Sequence, residues 1–212
     1  IANGPILELG CGNCTFLNEL SENHNLVTKI GVDLNTQALE HGKSMVNMQG
    51  TLVQGDFHHL PFTENSLALA IGLDAFDQTK ANLKIALSES FRTLVKEGLL
   101  LIRVSAHPWL LGQHDQSFGT GRRYTKNEIC SSITKAGFQI ERFTYANTIM
   151  LLPAIIVRIA IKLQITSVKQ QFSTPNILNI LLTKILQMEA SVLQLTSLPA
   201  GLSIYVLARK PK

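Results

Sequence analysis

Cysteine is scarce in this chain, with only three among 212 residues. The odd number argues against a disulfide framework and for a reducing compartment, so we expect a cytoplasmic protein. Cys11 and Cys14 form one CxxC sequence and Cys130 stands alone, so a zinc site lacks ligands and we expect no metal. A thioredoxin-like redox motif stays an alternative, although Gly10 rather than an aromatic residue precedes Cys11.

Aromatic residues are few as well. Nine phenylalanines, three tyrosines and one tryptophan offer little for base stacking, and the basic residues are spread among aliphatics, so we expect no nucleic-acid partner. The apolar stretch 150–165 carries Pro153, Arg158 and Lys162 and is too short and too charged to span a bilayer. The first residue is Ile1 rather than methionine, so we expect an N-terminal segment, with any targeting signal, before it.

The chain does have a glycine turn between an apolar strand and a helix, in PILELGCGNCTF at residues 5–16. Gly10 and Gly12 allow a tight turn and a close approach of the backbone to a ligand. The free N–H groups of the next helix favour an anionic or carboxylate-bearing ligand. The segment therefore suggests a site for a nucleotide-like cofactor.

Two carboxylates follow the turn at the ends of predicted strands. KIGVDL at 29–34 ends in Asp33, about twenty residues after the glycines, where an acidic side chain accepts hydrogen bonds from ribose hydroxyls. The strand 52–54 is followed by Asp56, which places a second carboxylate at the same edge of a parallel sheet. A nicotinamide-binding GxGxxG would need glycine where the chain has Thr15, so hydride transfer is disfavoured. A turn that only connects strand to helix would not explain the two carboxylates.

Four segments resemble, in order and spacing, the motifs of class I S-adenosylmethionine-dependent methyltransferases: ILELGCGNC, GVDLN, VQGDFHHLPF and LSESFRTLVKEGLLLIRV. The resemblance covers nearly the whole chain. It implies an α/β fold, a doubly wound Rossmann-like sheet of seven strands in the order 3-2-1-4-5-7-6 with the last strand antiparallel. It also implies S-adenosyl-L-methionine as the cofactor and S-adenosyl-L-homocysteine as the product.

The same resemblance assigns cofactor binding to the turn and the strand ends: Glu8, Gly10, Cys11, Gly12, Asp33, Leu34, Asp56, Phe57 and Leu73. Glu8 and the two glycines would hold the methionine part of the cofactor. Asp33 would hold the ribose hydroxyls, and Asp56 with Phe57 the adenine. Cys14 stands where a third glycine is common, which we expect to tighten the space near the cofactor without excluding it.

Substrate chemistry is expected in the loops after strands four (67–73) and five (99–104). In the first loop, Asp77 keeps the acid that relatives often carry, and Gln78 replaces their histidine. The second loop, VSAHPWLLGQHDQSFGTGRRYT, is similar to a methyltransferase type 11-like subgroup with the pattern PWLWSxHDxxxGHxRRYT. Thr120 replaces the second histidine of that pattern.

Six residues near these loops are the candidates for chemistry: His114, Asp77 and Tyr124 for catalysis, and His107, Arg122 and Arg123 for substrate binding. His114 is the first candidate base because histidine takes up a proton near neutral pH. The alternative is that His114 and Asp115 only tie down the loop. The two arginines would grip an anionic substrate group or form a solvated structural clamp.

The helical patterns predict one ordinary helix and one unusual insertion. An apolar stripe in 80–96 predicts a helix that stops before Gly98, and Asn35 can cap a helix running to about Met48. Between strands six (138–145) and seven (202–209), the residues of 149–200 are too many for a hairpin and predict an inserted helical cap. A second amphipathic helix of this cap begins at Thr174 and Pro175. Apolar stripes of this kind most often serve packing alone.

Length and composition fit a single domain over residues 1–212. Positive charge concentrates near its end, where residues 153–212 hold seven Lys and Arg against one acid. A greasy, basic cap favours a lipid-like or apolar acceptor, or contact with an anionic membrane surface. The sequence thus predicts methyl transfer to a small or lipid-like acceptor. The alternative is a protein of the same fold that binds the cofactor without transfer, because Cys14, Gln78 and Thr120 depart from the relatives. The oligomeric state is open.

Overall fold

The computed structural model describes residues 4–23, 28–44, 50–164 and 176–212 as one seven-stranded sheet with helices packed on it. The strands are β1 (Ile6–Leu9), β2 (Lys29–Asp33), β3 (Thr51–Gln54), β4 (Leu67–Leu73), β5 (Leu94–Ser105), β6 (Gln139–Ala146) and β7 (Ser203–Arg209). The helices are α1 (Thr15–Asn23), α2 (Thr36–Lys43), α3 (Leu83–Thr93), α4 (Gln113–Ser117), α5 (Lys126–Lys135), α6 (Thr148–Lys162) and α7 (Asn176–Leu195), with a 3₁₀ turn at Pro108–Leu110.

The strand order is β3-β2-β1-β4-β5-β7-β6, as the resemblance implied. Neighbouring strands from β3 to β5 are parallel, and β7 is antiparallel to both β5 and β6. The carboxyl ends of β1, β2, β4 and β5 therefore meet at one rim, which is where ligands of such sheets bind. Helices α6 and α7 form the predicted insertion between β6 and β7.

Successive side chains of each strand point to opposite faces of the sheet, and apolar residues occupy both faces. The larger cluster packs strand residues such as Leu100 and Val206 against Leu87 of α3 and Ile133 of α5. The residues between them in sequence, Leu101 of β5 among them, face α7 on the other side. A smaller cluster, Cys11, Cys14, Leu17 and Leu39, joins the glycine turn to α1 and α2.

Helix α3 is shorter than its apolar stripe predicts. It begins after Asn82, whose side chain accepts a hydrogen bond from the N–H of Ile85 at 3.3 Å, so residues 80–82 are not helical. Its last residue is Thr93, because Leu94 adopts an extended conformation and pairs with Leu67 of β4. The prediction of helix up to residue 96 was therefore wrong. Residues 94–96 belong to β5, which begins at Leu94, five positions before the predicted start at residue 99.

Two predicted boundaries lie outside the described residues. Asn35 caps α2 as predicted, accepting from the N–H of Ala38 at 3.2 Å, but residues 45–48 of the predicted helix are not described. The predicted start at Thr174 and Pro175 also lies outside. Within the described ranges, every helix is too short or too polar to cross a membrane.

Candidate functional site

The glycine turn joins β1 to α1 and leans on the end of β2. The N–H groups of Gly10 and Cys11 both donate to the carbonyl of Val32, at 2.8 and 3.1 Å. Gly10 has φ of +65°, and a Cβ there would lie 2.9 Å from that of Ala75 in the loop after β4. Both features favour glycine at this position, because left-handed backbone is strained for other residues and the close approach of Ala75 leaves no room for a side chain.

Cys14 turns away from this space rather than into it. It has φ of +63°, a region that glycine adopts more readily, and its side chain is fully buried against α2. A Cβ on Gly42 of α2 would lie 2.8 Å from the sulfur of Cys14, so the helix keeps a glycine where the cysteine packs. The expected tightening beside the cofactor does not occur, because the bulk of Cys14 is taken up between α1 and α2.

The two cysteines of the turn are free thiols whose sulfurs lie 3.6 Å apart. Burial raises the pKa of the Cys11 thiol and of the Cys14 thiol above the usual range. A reactive redox cysteine needs a lowered pKa and access to solvent, so the environment disfavours the thioredoxin-like alternative.

Asp33 at the end of β2 is fixed by two backbone donors. Its Oδ2 accepts from the N–H of Gly12 and its Oδ1 from the N–H of Asn35, both at 2.8 Å. The carboxylate therefore belongs to the glycine turn as much as to its own strand. Its remaining lone pairs are available to ribose hydroxyls at the cavity described below.

Glu8 is a buried carboxyl beneath the same turn. Its side chain is 5% exposed, and Oε2 has no hydrogen-bond partner in the part of the chain that the structure describes. Burial raises the pKa of Glu8 to about 8, partly offset by a backbone hydrogen bond from Leu17 and reinforced by the charge of Asp33. A buried carboxyl oxygen without a partner suits a cationic donor, such as the α-ammonium group of the methionine part of the cofactor.

A cavity of about 360 Å³ lies over the rim beside these residues. Its lining comes from the ends of β1, β2 and β4 and from the loops that follow β3 and β4: Gly10, Asp33, Leu34, Phe57, His58, Leu73, Asp74, Ala75, Gln78, Lys80 and Ala81. Five of the predicted cofactor residues are in this set: Gly10, Asp33, Leu34, Phe57 and Leu73. The other four, Glu8, Cys11, Gly12 and Asp56, are not part of the lining. We call this space the cofactor cavity.

The adenine end of the prediction falls on the loop after β3. Phe57 lies 4.6 Å from the ring of His58 and 5.9 Å from that of Phe76, centroid to centroid. Asp56 bonds its own loop, since its Oδ1 accepts from the N–H of His58 at 2.8 Å and lies 2.6 Å from the Nδ1 of the same residue. Of Asp56 and Phe57, the two residues predicted for the adenine, Phe57 borders the cavity and Asp56 does not.

Asp74 borders the cofactor cavity but was not among the site residues predicted from the sequence. It follows β4 directly, has φ of +55°, and places its carboxylate 2.8 Å from Nη1 of Arg103. Burial raises its pKa, and the guanidinium of Arg103 lowers it in part. The sequence signal was an acid immediately after an apolar strand, but the comparison with relatives drew attention to Asp77 three positions later.

Asp77 is fully buried behind the rim. Its Oδ2 accepts from the N–H of Ser105 at the end of β5 at 3.0 Å, and Oδ1 has no hydrogen-bond partner among the residues that the structure describes. Its backbone carbonyl accepts from the N–H groups of Gly121 and Arg122, at 2.8 and 3.1 Å. Desolvation raises its pKa. These contacts tie the loops after β4 and β5 together.

Gln78 and Thr120, two of the departures from relatives, are partners of one antiparallel bridge between those loops. Gln78 borders the cofactor cavity, and its Nε2 donates to the carbonyl of Asp74 at 3.0 Å. Gly119 leaves room for it, since a Cβ there would lie 2.6 Å from Oε1 of Gln78. The two changes therefore occur at adjoining positions and keep the loops connected through uncharged groups.

The loop after β5 places the other predicted residues around α4. His114 is exposed on α4, with its ring 5.0 Å from that of Phe118, and it does not border the cofactor cavity. Tyr124 is buried, and its hydroxyl donates to the carbonyl of Phe76 at 2.8 Å. His107 has φ of +63° and stacks on Tyr145 at 5.8 Å.

The two arginines of this loop have separate partners. Arg122 pairs with Glu128 at 3.1 Å on the surface and lies over the ring of Tyr124 at 4.6 Å. Arg123 pairs with the buried Asp115 at 2.5 Å and also donates to the carbonyl of Ala106. Asp115 also forms an ion pair with Arg158 of α6, so Arg123, Asp115 and Arg158 together attach the loop to the cap.

No cluster of three His, Cys, Asp or Glu side chains that could hold a metal occurs within the described ranges. Cys130, the third cysteine, is partly buried in α5.

Residues 7–102 match the family described as a methyltransferase domain. The whole chain has the fold of solved methyltransferases. It superimposes over its full length on 85% of a chain in the complex of the Haloferax volcanii Trm112 methyltransferase activator with a methyltransferase, with a TM-score of 0.67 and 16% identity. A search of curated proteins found no significant match.

Two further structures are similar at the same level. A S-adenosylmethionine-dependent methyltransferase from Methanosarcina mazei matches 99% of this chain and 93% of its own, with a TM-score of 0.65 and 14% identity. The second is geranyl diphosphate C-methyltransferase from Streptomyces coelicolor, solved with Mg²⁺, geranyl diphosphate and S-adenosyl-L-homocysteine. It matches 99% of this chain and 73% of its own, with a TM-score of 0.63 and 12% identity. The matched segment runs from β1 into β5 and includes the glycine turn, and the likeness to these solved structures shows that the chain has their fold.

Proposed function

We propose that the protein is an S-adenosylmethionine-dependent methyltransferase, and that it transfers the methyl group to a small, lipid-like acceptor that approaches from the side of the cap, α6 and α7. The observation that carries the proposal is the cofactor cavity at the rim, bordered on one side by Asp33 and on the other by Asp74 beside Arg103. In this proposal, Asp33 would bind the cofactor and Asp74 would face the acceptor.

The residues present fit the cofactor part by part. Asp33 would accept from the ribose hydroxyls, and Phe57 with Leu34 would cover the adenine, with Asp56 holding the loop. The buried, unpartnered Oε2 of Glu8 would take the α-ammonium group beneath Gly10. Cys11, Gly12 and Leu73 complete the surroundings of the turn and the end of β4.

The cofactor supplies a methyl group on a positively charged sulfur, and transfer breaks the carbon–sulfur bond as the acceptor atom bonds the methyl carbon. The protein's part is to hold the acceptor in line and to receive its proton if it carries one. Asp74 is the best placed group for that proton, because it borders the cavity and burial raises its pKa. His114, Asp77 and Tyr124 stay predictions for catalysis, and their observed contacts support positions in the loop framework.

The loop HD…GxxRRYT supports an assignment to the type 11-like subgroup. His107, Arg122 and Arg123 stay predictions for substrate binding. The pairing of Arg123 with Asp115 and Ala106 favours a role in shaping the loop that faces the cap. Residues 1–212 would act as one domain, and the scarcity of cysteine supports a place in the cytoplasm.

A lipid-like acceptor is supported by the surface of the cap. Helix α6 exposes one apolar stripe, at Ile149, Leu152, Ile156, Ile159 and Leu163. Lys162 of α6 and Lys184 of α7 are exposed and complement anionic lipid headgroups, so we assign this stripe to contact with an anionic membrane surface. A structural neighbour that carries geranyl diphosphate also supports an acceptor with a hydrocarbon body.

The vesicle experiment compares phosphatidylglycerol-containing with pure phosphatidylcholine vesicles by sedimentation. We expect binding to the anionic vesicles only, and a loss of binding in Ile156→Ser. Ser88→Ala on α3 is the matched control, because its exposed side chain lies far from α6 in the chain and on another element. Association of the protein with itself, measured by sedimentation velocity and abolished by the same Ile156→Ser change, would overturn the membrane assignment.

The transfer experiment supplies S-adenosylmethionine labelled in its methyl group and a panel of acceptors: a long-chain alcohol, an apolar phenol, a fatty acid and glycine. We expect label in the apolar acceptors, little in glycine, and a large loss in Asp74→Asn with unchanged affinity for S-adenosyl-L-homocysteine. Tight cofactor binding without transfer to any acceptor would favour the cofactor-binding alternative, for which the departures at Gln78 and Thr120 are the motive.

A further inference from the structure

A row of neighbouring residues crosses the sheet just below the rim and leads away from the cofactor cavity. Arg103 of β5 lies beside Leu73 of β4 on one side and Tyr205 of β7 on the other, and Tyr205 lies beside Thr144 of β6. Asp74 begins the row, since its N–H donates to the carbonyl of Arg103 at 3.0 Å and its carboxylate pairs with the guanidinium.

The row ends at a second cavity, of about 370 Å³, between α7 and the face of the sheet formed by β5, β7 and β6. Its lining consists of aliphatic side chains with a few polar ones: Leu101, Arg142, Thr144, Ala146, Asn147, Leu186, Glu189, Ala190, Leu193, Tyr205 and Leu207. We call it the α7 cavity. Tyr205 borders it, and Asp74 borders the cofactor cavity, so Arg103 is the one residue of the row between them.

Most polar groups of the α7 cavity are already engaged in holding the cap. Arg142 donates to the carbonyls of Leu193 and Thr196 at the end of α7. Glu189 accepts from the N–H groups of Asn147 and Thr148 at the start of α6. The cavity surface that a ligand would contact is therefore largely hydrocarbon, which suits an uncharged apolar molecule.

Tyr205 is the exception. Its hydroxyl has no hydrogen-bond partner among the described residues, and its ring lies 5.9 Å from the guanidinium carbon of Arg103. The Nε of Arg103 is likewise buried without a partner in the described part of the chain. Two unpaired donors thus lie in the row that runs between the two cavities, and one of them, Arg103, pairs with the carboxylate of Asp74.

We propose that the α7 cavity binds the hydrocarbon body of an alcohol or phenol acceptor, and that Tyr205 and the Asp74–Arg103 pair hold its hydroxyl at the border with the cofactor cavity. This rests on the methyl transfer proposed above. The acceptor's oxygen forms a bond to the methyl carbon, the carbon–sulfur bond breaks and its electron pair stays on sulfur. The hydroxyl proton goes to the carboxylate of Asp74. The products are a methyl ether, S-adenosyl-L-homocysteine and protonated Asp74.

The experiment measures binding of 1-naphthol, an apolar phenol, to the protein saturated with S-adenosyl-L-homocysteine. Ala190→Trp fills the α7 cavity from α7, and Ser191→Trp places the same side chain on the neighbouring residue, which is exposed and does not line the cavity. We expect at least a tenfold loss of 1-naphthol affinity in the first variant and no change in the second.

A second comparison tests the hydroxyl contact. Tyr205→Phe keeps the ring and removes one hydrogen-bonding group, so it should weaken 1-naphthol binding by about fivefold. The same variant should bind naphthalene, which has no oxygen to receive a hydrogen bond, as the wild type does. A purely structural role for Tyr205 would change both ligands alike.

Affinity for S-adenosyl-L-homocysteine, measured for every variant, reports on the cofactor cavity separately. If 1-naphthol fails to bind the wild type, or binds Ala190→Trp as tightly as Ser191→Trp, the assignment of the α7 cavity is overturned. That result would leave the proposed methyl transfer standing, whereas loss of cofactor binding in the wild type would overturn the proposed function itself.

Discussion

Asp115 of α4 binds Arg158 of α6, with Oδ2 3.4 Å from Nη2, and so attaches the cap to the loop after β5. Arg158 also donates to the carbonyl of Leu110. Gly112 makes room for the contact, because a Cβ there would overlap the guanidinium. The Asp115 carboxylate, nearly inaccessible to water, is thus shared by Arg158 from the cap and Arg123 from its own loop.

Replacing Asp115 by asparagine should lower the free energy of unfolding by about 3 kcal/mol, because two partly buried guanidinium groups lose their counter-charge. Urea denaturation measures it. Glu141→Gln is the matched control, because it removes the acid from the exposed pair with Arg209 and should cost much less stability than Asp115→Asn. Equal losses in the two variants would show that the Asp115 pair is an ordinary surface contact.

Asp33→Ala should weaken binding of S-adenosyl-L-homocysteine by about 1 to 3 kcal/mol, since it removes the acceptor proposed for the ribose hydroxyls. Calorimetry gives the affinity, and a thermal melt shows that the variant is folded despite the lost bonds from Gly12 and Asn35. Glu40→Ala, on the exposed face of α2, is the control and should bind as the wild type does. Unchanged affinity in a folded Asp33→Ala would contradict the assignment.

Glu8 should make stability depend on pH in a way that Glu8→Gln does not. Its pKa is raised from 4.5 to about 8 in the folded chain. The folded state therefore holds a proton that the unfolded state has lost between these values. The free energy of unfolding, taken relative to that of Glu8→Gln, is therefore highest below about pH 4.5. It falls by about 1.4 kcal/mol per pH unit from there up to about pH 8. Denaturation of both proteins at pH 5, 6, 7 and 8 measures the difference, and a constant difference would refute it.

The same carboxyl gives a signature on binding. If the ammonium group of the cofactor pairs with Glu8, the carboxyl ionises, so about one proton should be released at pH 7. Calorimetry in buffers of different ionisation enthalpy counts this proton. The release should be absent in Glu8→Gln, and its persistence there would place the titrating group elsewhere.

Gly42→Ala should destabilise the protein by about 1 to 3 kcal/mol, because the new methyl group meets the sulfur of Cys14 at 2.8 Å. Cys14→Gly should relieve the clash, so the double variant should be more stable than Gly42→Ala alone. Cys14→Gly by itself should leave the affinity for S-adenosyl-L-homocysteine unchanged, because its side chain faces α2. A loss of affinity would show that Cys14 reaches the cofactor after all. Thermal melts and calorimetry supply both measurements.

The glycine turn and the strand ends were predictable from the sequence because their causes are local. Gly10 marks a left-handed turn, and the apolar runs of β1, β2 and β4 each end at an acid or a glycine that the rim needs. The strand order came from resemblance, since short apolar runs do not say which strands are neighbours. The end of α3 could not be read locally, because a helical stripe continues through Leu94 while pairing with Leu67 makes that residue extended.

The sequence by itself determined which segments form strands, where the cofactor turn lies and which acid follows β2, because these depend on residue type and short spacing. Only the tertiary structure decided that Cys14 faces Gly42, that Asp115 binds Arg158, and that Arg103 separates two cavities. Each of these relationships joins residues from different elements, brought together by the pairing of strands and the docking of helices. No local pattern carries that information, since it arises only when the sheet is assembled and its two faces are covered.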